Sequence, residues 1–149
     1  MAAVLPVTNR QNYEYLFHVL LPIMAGSLIY VLWRSEQLLV FRWIETARLL
    51  DAVTMIRINV QTHALYEWFL FSFPAGLWAY SFSSAMCLVW RRAGWCWSGF
   101  AWLSIAPSLA IGGELIQVVV SGLGTFDVID LAFYATGSLL PFAIFRPLS

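Results

Sequence analysis

Residues 68–90 read WFLFSFPAGLWAYSFSSAMCLVW, twenty-three positions with no charged side chain and with tryptophan at both ends. As a helix, a run of that length crosses the roughly 30 Å hydrocarbon core of a bilayer. Interfacial tryptophans also frame membrane-spanning helices. Three other stretches repeat the theme. Residues 15–33 carry His18 as their one ionisable group, and residues 95–120 carry Glu114 as their one charge. Residues 127–145 place Asp127 and Asp130 in the first helical turn and are closed by Arg146. Charged residues make up 11% of the chain and the mean hydropathy is +0.77, against about 25% charged in an ordinary soluble domain. Pro22 and Gly26 fall inside the first stretch, where neighbouring membrane helices can satisfy freed backbone groups. Pro74 either bends or begins the second. The predicted fold class is all-α: an integral membrane four-helix bundle forming a single transmembrane domain over residues 1–149.

Residues 34–67 differ in character. Arg42, Glu45, Arg48 and Asp51 recur at every third position, while Val40, Trp43, Ile44, Ala47 and Leu50 fall on the other side. That period describes an amphipathic helix. Four ionised groups at the bilayer centre would cost about 2.5 to 3.5 kcal/mol each even on a lenient insertion scale. The segment is therefore expected to lie along the interface, as a helix over approximately residues 36–58 between spans one and two.

Charge and motif content narrow the function classes. The formal net charge is zero, and all eight basic residues are arginine. Beyond the Arg91–Arg92 pair there is no polybasic run, so nucleic acid is not an expected partner; membrane lipids are. Cys87 and Cys96 lack the paired spacing of a zinc site and read as buried thiols. No serine elbow or HExxH motif is present, no catalytic residue is assigned, and no cofactor is implied. The first apolar segment reads as retained rather than cleaved. Arg10, Arg91, Arg92 and Arg146 share one side, and Arg34, Arg42, Arg48 and Arg57 the other. The adjacent pair lies in a very short loop, which favours both termini in the cytoplasm.

The stretch most able to carry chemistry is GGELIQVVVSGLGTFDVIDLAFYATG, residues 112–137. Glu114 and Gln117 are three apart and share a helix face, as do Asp127 and Asp130, with Tyr134 and Gly137 continuing that face. A tight turn between antiparallel helices would bring both faces to one membrane boundary. Acids inside or at the edge of a span mark a pathway or a site by default. Such a group could hold a proton, a hard cation through oxygen ligands, or a cationic or hydroxyl-rich head group, so whether a metal binds is left open. Structural roles compete with these: Asp127 can cap its helix, Gln117 can bond across helices, and Gly112, Gly113, Gly122, Gly124 and Gly137 suit close packing and turns. A secondary candidate is His63, Tyr66 and Glu67, which precede span two at helical spacing.

The sequence GELIQ followed by GLGTFDVIDLAFYATGSLL resembles the carboxy-terminal signature of the VanZ-like family of small bacterial membrane proteins. In that signature an acidic residue and a glutamine lie late in one span. A short turn follows, then an Asp-containing helix start. The likeness covers roughly the last forty residues. Where the family carries Asp, Asn and Gly, this chain has Asp130, Tyr134 and Gly137. The resemblance implies a multi-pass protein of the bacterial cytoplasmic (inner) membrane. It also implies a cell-envelope role, including antibiotic resistance to glycopeptides such as teicoplanin.

Three readings follow. The first is a binding or handling protein for a lipid or glycopeptide component, with Glu114, Gln117, Asp127, Asp130 and Tyr134 as its ligand-binding residues. The second is a small proton-coupled transporter working as a homo-oligomer, with Glu114 as proton carrier. The third is an accessory subunit of a larger membrane complex, docking through Trp95, Trp97, Phe100 and Trp102.

Overall fold

A computed structural model describes residues 9–36, 38–61, 65–93, 97–120 and 126–145, and every regular element among them is helical. Helix α1 (Asn9–Tyr15) passes through a π-helical turn at Leu16–Leu20 into α2 (Leu21–Trp33). Pro22 explains the turn. A proline has no N–H and its ring presses on the carbonyl four residues back; widening the preceding turn makes room. Leu21 accordingly donates to the carbonyl of Leu16, five residues back.

The amphipathic segment predicted as one helix over residues 36–58 is two, α3 (Leu39–Thr46) and α4 (Leu50–Val60). Arg48 breaks it, with a left-handed φ of 58°. Its N–H donates to Glu45 and that of Leu49 donates to Ile44, at 2.8 and 3.0 Å. This is the Schellman arrangement, which glycine usually occupies. No glycine or proline announces it here.

Helices α5 (Glu67–Ala93), α6 (Trp97–Val119) and α7 (Val128–Ile144) complete the fold. Pro74 does not begin α5, which starts seven positions earlier. α5 is central. It runs antiparallel to α2, since Arg34 lies over Phe71, Gly26 meets Pro74 and Trp78, and Glu14 reaches Arg91. It runs parallel to α7, since Phe133 packs on Phe73, Gly137 meets Gly76, and Arg91 lies over Phe145. α6 runs back antiparallel to both and packs against each, with Gly99 under Trp90 and Glu114 beside Asp127. Four helical segments thus alternate in direction.

Small residues set the closest approach. A Cβ on Gly137 would stand 2.3 Å from the Gly76 carbonyl oxygen, so the two backbones touch. Gly112 and Gly113 behave otherwise: a Cβ there meets nothing within 4 Å, and the close packing expected of them is not found. Gly122 and Gly124 lie outside the described residues.

Buried positions mix serines with Leu32, Phe41, Leu88, Leu103 and Phe145, and many large apolar residues lie outside. Ser72, Ser81, Ser83, Ser84 and Ser138 are buried, while Met24, Leu28, Leu109, Leu139 and Val119 are exposed, Val119 by 82%. Cys87 is fully buried beside Leu88, Leu103 and Phe145; Cys96 lies outside the described residues. Among the described residues one helix, Gln11–Trp33, is long and apolar enough to cross a membrane. A second qualifies if the two halves of α6, bent by 41° ahead of Pro107, count as one. α7 is apolar but shorter at 17 residues. α5 is longer at 27 residues, but its serines, tyrosine and tryptophans make it less apolar.

Candidate functional site

Asp127 is the N-cap of α7: its Oδ1 accepts from the N–H of Ile129 at 2.7 Å, satisfying one of the donors a helix start leaves over. Its own N–H points at Oε2 of Glu114, 3.4 Å away. The cap thereby ties the end of α6 to the start of α7. Glu114 is 7% exposed, an acid inside the bundle rather than on its rim.

Asp130 lies in the first turn of α7, where the helix dipole favours negative charge. Its Oδ1 is buried with no hydrogen-bond partner. One turn further, Tyr134 is half-buried and within electrostatic reach of Asp130, Glu114 and Arg34. The structure therefore brings together Glu114, Asp130 and Tyr134, with Asp127 joined through its backbone. Gln117 is half-buried one turn beyond Glu114.

Arg34 was not among the residues singled out from sequence. It follows α2, its guanidinium lies 4.6 Å from the Phe71 ring centroid and 5.5 Å from that of Tyr30, and its Nε is buried without a partner. A signal for it existed: with four alternating helices, the residue after the first and the turn after the third must lie at the same end.

Arg57 was also missed, and its part is structural. From α4 it donates to the carbonyls of Val31 and Arg34, pairs with Glu36 at 3.5 Å and lies over Phe41. Gln61 donates to Leu32 at 2.7 Å. The carbonyls that end α2, which a helix leaves without internal donors, are thus satisfied by side chains of α4. That docking fixes Arg34 in place.

The secondary candidates are not drawn into this group. Tyr66 is exposed and stacks on Trp68, which in turn stacks on Phe133. Glu67 is exposed at the first turn of α5. His63 lies outside the described residues.

Chemically, the carboxylates of Glu114 and Asp130 and the guanidinium of Arg34 all lie within electrostatic reach of the Tyr134 phenol. Among the described residues no group of three or more histidine, cysteine or acidic side chains is placed to hold a metal ion. The arrangement offers acceptors for a cationic group and a donor for an anionic one. No family model matches the chain, and neither a curated protein nor a solved structure is similar to it.

Proposed function

We propose that this chain is a VanZ-like integral membrane protein of the bacterial cytoplasmic membrane that binds or handles a lipid or glycopeptide component of the envelope. The observation that carries the reading is the meeting of Glu114, Asp130 and Tyr134 with Arg34 at one end of the bundle. A lipid solvent is supported by the pattern of burial: serines and glycines packed between helices, with many leucines, valines and methionines outside. Small residues let membrane helices approach closely where no hydrophobic force drives them together.

In this reading α1–α2, α5, α6 and α7 are the four spans. α3 and α4 lie in the interface, with Trp43, Leu49, Met55 and Ile58 dipping toward the acyl chains. With both termini in the cytoplasm, the polar end opens on the outer face, where envelope precursors and glycopeptides are met.

The test is tolerance to teicoplanin in cells expressing the chain. Glu114→Gln and Asp130→Asn should each abolish the tolerance that the unaltered chain confers. Unchanged tolerance at normal membrane levels of the variants would overturn the proposal.

A further inference from the structure

Between α6 and α7 lies a cleft of about 270 Å³, walled by Phe100, Leu103, Pro107 and Ile111 on one side and Ser138 and Phe142 on the other. It opens beside the 41° bend that separates the halves of α6. The volume falls below the roughly 300–1,000 Å³ of pockets that enclose whole small molecules. It suits a segment of a chain.

The cleft lies on the same helix pair as the polar site, which begins one turn beyond its wall at Ile111. Phe100, Leu103, Pro107, Ile111 and Glu114 follow one another at steps of three and four, hence along one face of α6. Asp130, Tyr134 and Ser138 do the same on α7. Glu114 and Phe100 are separated by about 21 Å of helix at 1.5 Å per residue, with the cleft along the part from Ile111 to Phe100. That stretch is charged at one end and apolar along the rest, the profile of an amphiphile lying along a helix pair.

Three unmatched groups define the polar part of the occupant. Asp130 Oδ1 lacks a donor and Arg34 Nε lacks an acceptor, needs that the ammonium and phosphate of one head group would meet together. Ser138 is 3% exposed, lines the cleft and has a buried hydroxyl with no partner. It stands about 12 Å along the helix from Asp130, the reach of an extended phosphoethanolamine glycerol head group from its ammonium to its ester carbonyls.

We propose, building on the function given above, that the bound envelope component is an aminophospholipid. Its ammonium lies between Glu114 and Asp130, its phosphate faces Arg34, and one acyl chain fills the α6–α7 cleft past Ser138. An anionic lipid without an ammonium meets the two carboxylates as like charges and is rejected.

Native mass spectrometry of the full chain in detergent tests this, using an equimolar mixture of phosphatidylethanolamine and phosphatidylglycerol with identical chains. The unaltered protein should retain the ethanolamine lipid at least tenfold in excess. Asp130→Asn should cut that preference to below threefold. Ile111→Trp, which fills the cleft from its partly exposed wall, should lower retention of the ethanolamine lipid tenfold while melting in lipid-free detergent is unchanged. Equal retention of the two lipids, or undiminished retention by a folded Ile111→Trp protein, would overturn the assignment. If Glu114→Gln cells lose teicoplanin tolerance while both lipids bind equally, the acidic site stands and the lipid is wrong. With selective lipid retention and unaltered tolerance, the lipid assignment holds and the resistance role fails.

Discussion

Where α5 finishes, Glu14 and Arg91 pair at 2.6 Å, both largely buried, and midway along it His18 meets Tyr80 at 2.6 Å. Ser81 donates to the Val19 carbonyl at 2.6 Å beside the π-helical turn. Where α5 begins, Asp130 and Arg34 each keep a buried polar atom without a partner. Both ends place charge inside an apolar bundle. The first end uses its charges to hold α1 against α5, and Phe145 of α7 lies against the same guanidinium. The second keeps charges poised and unmatched, which is the arrangement expected where a ligand completes the set. An unpaired buried polar group is expensive, and both ends hold one, Arg91 Nε at the first and Asp130 Oδ1 at the second, so what separates them is the Glu14–Arg91 ion pair at the first.

The sharpest way to break this contrast is at the paired end. Arg91→Ala removes the guanidinium from the Glu14 carboxylate in a setting where each side chain is 17% exposed. Removing one partner of such a pair costs about 3 kcal/mol, near the lower end of the range for buried pairs. Denaturant unfolding in detergent should show that loss. Replacing both Glu14 and Arg91 with apolar residues should restore most of it, because no lone charge remains. A single variant that unfolds like the unaltered protein would mean the pair is no clamp.

The next effect lies between the ends. Gly137→Ala sets a methyl group 2.3 Å from a backbone oxygen of α5, which cannot rotate away. Separating α5 from α7 should cost about 1–3 kcal/mol. Gly112→Ala, with nothing within 4 Å, should instead hold or gain up to about 1 kcal/mol from helix propensity. Unfolding midpoints of the two variants that move together would remove the α5–α7 crossing as the frame joining the ends.

Helix existence and the acidic hairpin were readable because charge is scarce here: Glu114, Asp127 and Asp130 stand out against apolar runs, and the three- and four-residue steps locate their faces. The break at Arg48 was hidden because a left-handed cap usually announces itself with glycine. Arg34 was hidden for another reason. It is far from residue 114 in sequence, and its place beside Tyr134 depends on helices packing in alternating directions. The open surroundings of Gly112 and Gly113 were equally invisible, since a small residue permits a close neighbour without requiring one. The division of labour between Asp127 and Asp130 needed coordinates: the same residue type, three positions apart, caps a helix in one case and stands unpaired in the other.

That division gives the smallest and most informative effect. Asp130→Asn preserves shape, removes a charge from the first turn of α7 and deletes no hydrogen bond to Oδ1, since none exists there. The lost interaction with the helix dipole is about 0.3–1 kcal/mol. Relief from holding a buried charge near Glu114 opposes it. Stability should therefore change by less than about 1 kcal/mol, against about 3 for Arg91→Ala, while teicoplanin tolerance is lost. Unfolding curves of the two variants, recorded in the same detergent, make the comparison direct. If Asp130→Asn destabilises as much as Arg91→Ala, Asp130 is a structural partner in its own right, and the two ends of the bundle do the same job.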